Sequence, residues 1–482
     1  MVATGFRPLS YSELRDYLAD VASHLRQAGF DRQTRIAVAI PDGPQAALAI
    51  VAVACAAVAV PIDTKLTAPE VETRLTLLRP RAVIVLRDSE SVTRNVAARY
   101  QLSIIEAVAD DRGRLGLCFD VPRTGTPASV EEPDPAAPAF ILQTSGTTAA
   151  PKLIPFSHRN MLAAVNNTQS WFGLNPTDRC LSVSPIYYSH GLKLTFLTPL
   201  ITGGSTAFPA SPSTLDVNEW LSVLKPTWYS AGPALHRYML DKTKQISGVN
   251  LLHCLRFIVS GGAHLPRDVN ERLTTVLGVP VLEHYGASEA AQICANLPPP
   301  GPAKIGTCGI PPDGTLMVAA KDRRKLAAGE QGEILIRGPN VFSGYLAAPE
   351  LNCEAFINGW FRTGDIGSLD SDGFLTLHGR EKELINRGGE KISLLEIDHA
   401  LQLHPDVAEA AAFAVPHSRL GEDVAAAVVL RTGARVTPMD LREYLTSQLA
   451  LFKVPRRIVL VDRLPKGATG KIKRQELVEH YK

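Results

Sequence analysis

The alternation of short apolar runs with helical patterns restricts the fold of this chain more than any other feature of its sequence. The β-branched runs occupy residues 35–40, 81–86, 180–185, 255–262 and 279–286. Between such runs the periodicity is helical, as where Leu14, Leu18, Val21 and Leu25 recur at spacings of three and four residues. Strands that alternate with helices favour parallel sheets covered by helices, so the sequence predicts an α/β fold.

Loops of small residues follow three of the apolar runs, after residues 144, 260 and 285. Ligands of open parallel sheets bind at the carboxyl ends of the strands. The sequence therefore predicts that the functional site is built from these loops.

The pattern changes after Gly379, where strands become fewer. Helices are expected around residues 394–402 and 438–449, and they alternate with apolar runs as in a small α+β domain. The predicted organisation is a large N-terminal domain of helix-covered, mostly parallel sheets over residues 1–379, a hinge over residues 380–382 and a small mobile α+β domain over residues 383–482. Residues 121–138 are rich in proline and are expected to form a surface linker.

Composition narrows the class of protein. Of the 482 residues, 45% are hydrophobic and 20% are charged, and the net charge of +2 argues neither for a nucleic-acid partner nor for an anionic membrane surface. The seven cysteines are scattered and form no C-x-x-C pair, so we expect no disulfide framework or zinc site, and a reducing, cytoplasmic location.

One segment, Ala46 to Ile62, is uncharged throughout. It is short for a membrane span, rich in alanine and interrupted by Pro61, so a buried helix followed by a core strand is favoured over a membrane anchor. The N-terminus has no signal-peptide pattern, and a further segment upstream of it is left open.

The segment from Ile141 to Lys152 carries the strongest local signal for chemistry. An apolar strand end runs into TSGTTAAPK, whose backbone N–H groups and hydroxyls can hold an anion, and Lys152 adds a positive charge. It is not a Walker A loop, because Pro151 stands at the position of the second glycine. The alternative is an ordinary turn rich in serine and threonine.

Seven segments in a fixed order resemble one family. They are TSGTTAAPK (144–152), YYSHGL (187–192), SGGAHLP (260–266), HYGASEA (284–290), FRTGDIG (361–367), GREKELINRGGEKI (379–392) and PKGATGKIKR (465–474). Together they resemble the adenylate-forming enzymes, which include acyl-CoA synthetases, luciferases and peptide-synthetase adenylation domains. The resemblance covers nearly the whole chain. It implies that a carboxylate and MgATP give acyl-AMP and pyrophosphate, after which a thiol attacks the adenylate.

The resemblance also implies a nucleotide site. Lys152 and the hydroxyls of residues 144–148 would neutralise the β- and γ-phosphates, Tyr285 would lie against the adenine, and Ser288 would bond the α-phosphate. The implied cofactor-binding residues are Thr144, Ser145, Gly146, Thr147, Thr148, Gly261, Gly262, Ala263, Glu283, His284, Tyr285, Gly286, Ser288, Asp365, Arg380, Arg387, Gly388 and Gly389.

Ribose, adenine and metal each have an implied partner within this set. Asp365 would accept hydrogen bonds from the ribose hydroxyls with help from Arg380, and residues 261–263 would form a flat wall beside the adenine. Glu289, together with Thr148, would bind Mg²⁺, which prefers oxygen ligands. The alternatives are a solvated surface position for Glu289 and a turn-forming role for Asp365.

The catalytic residues implied by the resemblance are Lys471, His190 and Lys152. Lys471 would stabilise the attacking carboxylate and the charge that develops at the α-phosphorus, and His190 would gate the acyl pocket. The alternatives are a solvated lysine in a basic tail and a core histidine with satisfied hydrogen bonds.

Members of the family rotate the small domain after adenylation, and the hinge residue implied here is Lys382. Residues Asn386 to Lys391 would then face the site. Within them, Gly388 and Gly389 beside Arg387 would leave a narrow passage for the pantetheine arm of coenzyme A.

For the acid, the sequence looks closest to the oxalate-CoA ligase-like subgroup. A small dianion needs a cation or several hydrogen-bond donors. The expected acid-pocket residues are His190, Lys193, Ser230 and Gln292, with His264 and His284 as further candidates. Gln292 stands where oxalate-type enzymes are expected to have a histidine, and glutamine cannot carry charge.

The expected cofactors are ATP, Mg²⁺ and coenzyme A, and the expected partners are a small carboxylic acid and coenzyme A. The alternative is an adenylation enzyme that loads a phosphopantetheine carrier protein in trans. A non-catalytic nucleotide-binding protein is disfavoured, because Lys152, Glu289, Asp365 and Lys471 are all present. A homodimer is left open.

Overall fold

A computed structural model gives the architecture of this chain. The residues that it describes are 1–109, 117–120, 132–143, 151–210, 216–245, 253–381, 384–387, 390–467 and 471–481. The predicted site residues Thr144, Ser145, Gly146, Thr147, Thr148, Lys382, Gly388 and Gly389 lie outside this part. No helix among the described residues is both long enough and apolar enough to cross a membrane.

The first sheet has seven strands. They are β2 (Arg35–Ala39), β3 (Val58–Pro61), β4 (Ala82–Leu86), β5 (Ser103–Ala109), β6 (Leu117–Asp120), β7 (Pro138–Gln143) and β8 (Leu153–Ser157), in the order β6-β5-β4-β2-β3-β7-β8. The pairs between β5 and β7 are parallel, and the two edge strands are antiparallel. Its helices are α1 (Tyr11–Gln27), α2 (Pro44–Ala54), α3 (Ala68–Leu78) and α4 (Val92–Arg99).

The second sheet carries the candidate site. Its strands are β1 (Val2–Ala3), β9 (Arg179–Leu181), β10 (Ser205–Phe208), β11 (Trp228–Ala231), β12 (Phe257–Ser260), β13 (Val281–Ala287) and β14 (Ala291–Ala295), in the order β1-β10-β9-β11-β12-β13-β14. All neighbours are parallel except β13 and β14, which form a hairpin. The helices are α5 (His158–Phe172), α6 (Thr198–Ile201), α7 (Pro233–Gln245) and α8 (Arg267–Leu277), with π-helical segments at His190–Leu197 and Glu219–Val223.

Two further sheets complete the chain. The third is antiparallel and contains β15 (Leu316–Ala319), β16 (Gly332–Ile336), β17 (Phe356–Ile357), β18 (Trp360–Leu369) and β19 (Leu375–Arg380), with α9 (Pro349–Ala355) beside it. The C-terminal sheet contains β20 (Ile385–Arg387), β21 (Glu390–Ile392), β22 (Val407–His417), β23 (Gly421–Leu430) and β24 (Arg457–Leu460). Its helices are α10 (Leu394–Gln402), α11 (Pro438–Gln448) and α12 (Arg474–Tyr481).

Local sequence explains why these elements form. Ser10 and Glu13 make a capping box that begins α1, and Leu14, Val21 and Leu25 on one face of this helix are buried. Every residue of α2 from Ala46 onward is buried, which accounts for the long uncharged segment without a membrane.

The predicted fold class is confirmed. The five β-branched runs overlap β2, β4, β9, β12 and β13, although β9 ends at Leu181, and a smaller C-terminal unit follows the large one with its parallel sheets. The predicted helices of that smaller unit coincide with α10 and α11. The exact domain boundaries and the mobility of the small domain stay predictions.

Candidate active site

One group of predicted residues lies where strands of the second sheet end. β11 ends at Ala231 and β12 at Ser260, and the π-helical segment that begins at His190 packs against β11. The rings of His190 and His284 are close, with centroids 5.7 Å apart. A Cβ atom at Gly261 would lie 2.0 Å from His284 Nε2, so only glycine leaves room for this ring.

Buried polar atoms without a hydrogen-bond partner concentrate at this end of the sheet. Among the described residues they include Nε2 of His190 and His236, both ring nitrogens of His284, and the hydroxyls of Ser230 and Ser260. An unpartnered buried polar atom costs about 1–3 kcal/mol, and native structures contain few of them. Such a concentration therefore indicates a place where water or a bound molecule supplies the missing partners.

The electrostatics of this group bring in the C-terminal unit. Burial lowers the pKa of His190 to about 4, a hydrogen bond to the backbone of Ser230 opposes this shift, and the positive charge of Lys471 adds to it. Burial, together with His190, lowers the pKa of His284 to about 3. Both rings are therefore neutral at pH 7, and Lys471 lies near enough to His190 for its charge to act there.

A second group of predicted residues surrounds Asp365, a buried residue of β18. Its Oδ2 accepts a hydrogen bond from the Tyr285 hydroxyl at 2.5 Å, and its Oδ1 accepts one from Arg380 Nε at 3.1 Å. Asp365 and Arg380 stand opposite each other in the β18–β19 pair, so the sheet register brings them together. Within the β13–β14 hairpin, the two strands lie so close at Gly286 that a Cβ atom added to this residue would lie 2.6 Å from Ala291 O.

A third group lies at the turn of the β13–β14 hairpin, which carries Ser288 and Glu289. The Tyr345 hydroxyl donates to Glu289 Oε1 at 2.8 Å, and Lys152 Nζ lies 4.8 Å from the centroid of the Tyr345 ring. Tyr345 thus stands between two predicted site residues. Sequence reasoning missed it, because Tyr345 belongs to none of the seven segments that resemble the family.

The residues present fit magnesium bound together with a nucleotide. No set of three His, Cys, Asp or Glu side chains in the described ranges is arranged to hold a metal ion by itself. Mg²⁺ in nucleotide sites is held by one or two carboxylates together with substrate phosphates. The single carboxylate of Glu289, with Lys152 nearby, matches that chemistry.

Several predicted residues lie apart from these groups. Gln292 is buried, and its Oε1 accepts a hydrogen bond from Thr168 Oγ1 of α5 at 3.3 Å. Glu283 Oε1 accepts one from Gly306 N at 2.9 Å. Neither of these hydrogen bonds involves His190 or His284.

The remaining predicted residues have other partners. Lys193 Nζ donates to Ser288 O at 3.0 Å. Arg387 Nε donates to Asp423 Oδ1 at 2.7 Å within the C-terminal unit. The other described candidates, Gly262, Ala263 and His264, are exposed at the end of β12, and the His264 ring contacts that of His399 edge-on at 5.3 Å.

Comparison with known proteins identifies the family. A family model described as AMP-binding enzyme matches residues 1–346, and one described as AMP-binding enzyme C-terminal domain matches residues 396–471. The chain belongs to the AMP-binding enzyme family. The family resemblance and the enzyme class expected from the sequence, an AMP-forming acyl-CoA synthetase, are confirmed.

Individual relatives span nearly the whole of this AMP-binding enzyme. It is 35% identical to an oxalate–CoA ligase of Arabidopsis thaliana over 98% of this chain and 93% of the relative. It is 34% identical to a sulfoacetate–CoA ligase of Cupriavidus necator over 94% of this chain and 89% of the relative. The structure also resembles the crystal structure of ATP-bound MatB from Rhodopseudomonas palustris, with a TM-score of 0.87. The two sequences are 28% identical, and the match covers 99% of this chain and 95% of the MatB chain.

Proposed function

We propose that this enzyme is an ATP-dependent ligase that adenylates a small carboxylic acid and transfers the acyl group to coenzyme A. The observation that carries the proposal is the group of buried polar atoms without partners among the described residues at the end of the second sheet, where the charge of Lys471 also acts on His190. Lys471 belongs to the C-terminal unit, and the β13–β14 hairpin that carries His284 also carries Glu289 and contacts Asp365 through the Tyr285 hydroxyl. An acid at one end and a nucleotide at the other would meet next to Lys471.

At the nucleotide end, we assign a residue to each part of MgATP. Asp365, oriented by Tyr285 and Arg380, would accept hydrogen bonds from the ribose, and Ser288 would bond the α-phosphate. Lys152 and the loop of residues 144–148 would hold the β- and γ-phosphates. The remaining implied residues, Gly261, Gly262 and Ala263, would leave the adenine a flat backbone surface.

Glu289 is the proposed ligand of Mg²⁺, with Thr148 as the second candidate. When bound, the ion would neutralise charge on the phosphates. Tyr345 would keep Glu289 in place through its hydrogen bond to Oε1.

In the first half-reaction, a carboxylate oxygen of the acid attacks the α-phosphorus and pyrophosphate leaves. Lys471 would attract both the incoming carboxylate and the negative charge on the α-phosphate, and such a preorganised charge lowers the barrier. His190 would close the acid pocket beside the reacting carboxylate. The product is acyl-AMP.

In the second half-reaction, the thiolate of coenzyme A attacks the acyl carbonyl carbon and AMP leaves. We propose that the small domain first rotates about residues 380–382, with Lys382 as the hinge. Arg387, Gly388 and Gly389 would then line the passage for the pantetheine arm. The support for this step is the family membership of the chain together with the position of these residues at the start of the C-terminal unit.

The acid pocket favours a short acid with a second polar end. His284 occupies the space against Gly261, and the hydroxyls of Ser230 and Ser260 have no partner in the part of the chain that the structure describes. A hydrocarbon acid would leave these atoms unpaired, whereas an oxalate-like acid would pair with several of them. The similarity to an oxalate–CoA ligase and a sulfoacetate–CoA ligase supports the same class of acid.

Substitution of Lys471 by alanine tests the assignment of the first half-reaction. We expect acid-dependent pyrophosphate release to fall by a factor of about 100 or more, as when one charge-stabilising group is removed from an active site. Lys473→Ala is the matched control, since Lys473 pairs with Glu476 on the protein surface. Unchanged pyrophosphate release in Lys471→Ala would contradict the assignment.

Thiol dependence separates the ligase from its alternative. AMP and acyl-CoA formed from ATP, acid and free coenzyme A would support the proposal. Acyl transfer that occurs only when a phosphopantetheine carrier protein is added would instead identify that carrier, and not coenzyme A, as the acyl acceptor.

A further inference from the structure

Lys193 is an unusual residue because the protein encloses its amine-bearing side chain almost completely. It is 1% exposed and lies in the π-helical segment three residues after His190. Nζ donates to the main-chain oxygen of Ser288 at 3.0 Å and lies 3.1 Å from the centroid of the Phe156 ring. The negative charge of Glu289 also acts on it. Burial of a lysine is costly without such partners, so its position calls for a reason.

The partner of Lys193 is the turn that carries Ser288 and Glu289. Three successive carbonyl groups of this turn accept hydrogen bonds from outside the hairpin. Lys193 Nζ bonds Ser288 O, the backbone N–H of Phe342 bonds Glu289 O at 2.9 Å, and Asn340 Nδ2 bonds Ala290 O at 2.9 Å. Each peptide plane is thereby fixed, and with it the direction in which the Glu289 side chain leaves the backbone.

Lys193 differs from the other two donors in where it comes from. Asn340 and Phe342 belong to the segment that precedes Tyr345, whereas Lys193 belongs to the segment that places His190 against His284. Phe156, the other contact of the amine, lies on β8, the strand that follows Lys152. The amine therefore joins the acid side of the site to the strand and the turn on its phosphate side.

We propose that Lys193 is a positioning residue that holds the Ser288–Glu289 turn at a fixed distance from the acid pocket. The metal-binding carboxylate of Glu289 and the reacting carboxylate of the acid then keep a fixed separation. The inference rests on the proposed function. The hydrogen bond to Ser288 O needs only an N–H donor, which the amine of Lys193 supplies whether or not it carries a charge.

Lys193→Met tests this proposal, because methionine keeps most of the length and removes the donor. Binding of ATP is titrated by calorimetry with and without Mg²⁺. We expect the dissociation constant of MgATP to rise at least fivefold, while that of metal-free ATP changes less than twofold. In kinetic assays the Mg²⁺ concentration for half-maximal rate should rise and kcat should fall at least tenfold, with KM for the acid within a factor of two.

Two further variants sharpen the test. Asn340→Leu removes another donor to the same turn and should shift the Mg²⁺ dependence in the same direction. Lys193→Gln keeps an N–H donor on a shorter side chain and should recover part of the loss. Thermal unfolding of each variant measures stability separately.

Each result bears on the inference. A Lys193→Met enzyme that folds and keeps wild-type MgATP binding and Mg²⁺ dependence would overturn it. Failure of both Lys193 variants to fold would also overturn it, because the residue would then serve the core rather than the turn. Absence of acid-dependent pyrophosphate release in the wild-type protein would instead refute the proposed function.

Discussion

The contact between Gly261 and His284 gives a prediction that can be worked out from the structure. In Gly261→Ala the added Cβ would lie 2.0 Å from His284 Nε2 and 2.5 Å from its Cδ2, far inside van der Waals contact. His284 is 7% exposed and lies beside His190, so its ring cannot swing into solvent. Either the backbone shifts or the ring moves into the space proposed for the acid.

The expected cost of this overpacking is about 1–3 kcal/mol in the free energy of unfolding. His284→Ala removes the ring, so alanine at position 261 should then be tolerated. A double-mutant cycle should therefore give a coupling energy of about 1–3 kcal/mol that favours the double variant. Urea denaturation of the four proteins measures it.

The same cycle has a kinetic readout. Gly261→Ala should raise KM for the acid at least tenfold, because the displaced ring competes with it for space. In the double variant the space of the ring is free, so KM for acids that are longer than the best wild-type substrate should be lower than in Gly261→Ala. Additive stabilities, or a Gly261→Ala enzyme with wild-type KM for the acid, would refute the placement of the ring against the acid site.

Two other predictions concern pH and the hinge. Burial raises the pKa of Glu283 from 4.5, its value in the unfolded chain, to about 7 in the folded protein. Between pH 4.5 and pH 7 the folded protein therefore keeps a proton that the unfolded chain has lost, so the free energy of unfolding falls as the pH rises. Glutamine at this position does not titrate, so Glu283→Gln should avoid this loss of up to about 3 kcal/mol. Urea denaturation should show a free energy of unfolding that exceeds that of the wild type by an amount that grows from about pH 4.5 to about pH 8. Parallel pH profiles of the two proteins would contradict the prediction. Lys382→Pro should spare acid-dependent pyrophosphate release but abolish thioester formation, because proline fixes φ at the proposed hinge. Lys382→Ala is the control, and equal loss of both half-reactions in Lys382→Pro would argue against rotation.

Much of the fold could be predicted because periodicity is a local property. The apolar runs that became β2, β4, β9, β12 and β13 are short and β-branched, and the uncharged segment from Ala46 had to be either a membrane span or a buried helix and strand. The antiparallel third sheet was not predicted, since four of its five strands have six residues or fewer and carry weaker patterns.

The candidate site was less predictable where partners are distant in sequence. Gln292 was expected in the acid pocket because it stands where oxalate-type enzymes are expected to have a histidine, and its hydrogen bond with Thr168, 124 positions earlier, could not be inferred from the sequence. Lys193 was assigned to the acid pocket, and its contact with Ser288 could not be inferred from residues ninety-five positions apart. Tyr345 and Asn340 carry no motif of their own, so only the folded chain brings them to the hairpin turn.

The most direct test of the proposed function compares two acids of similar size, oxalate and butyrate. The purified enzyme is incubated with ATP, Mg²⁺, coenzyme A and either acid, and AMP and acyl-CoA are quantified. A site with unpaired polar groups rejects an analogue that cannot satisfy them, so kcat/KM for oxalate should exceed that for butyrate at least about 100-fold. Equal or better use of butyrate would contradict the polar pocket, and absence of AMP and acyl-CoA across a wider panel of acids would contradict the ligase activity itself.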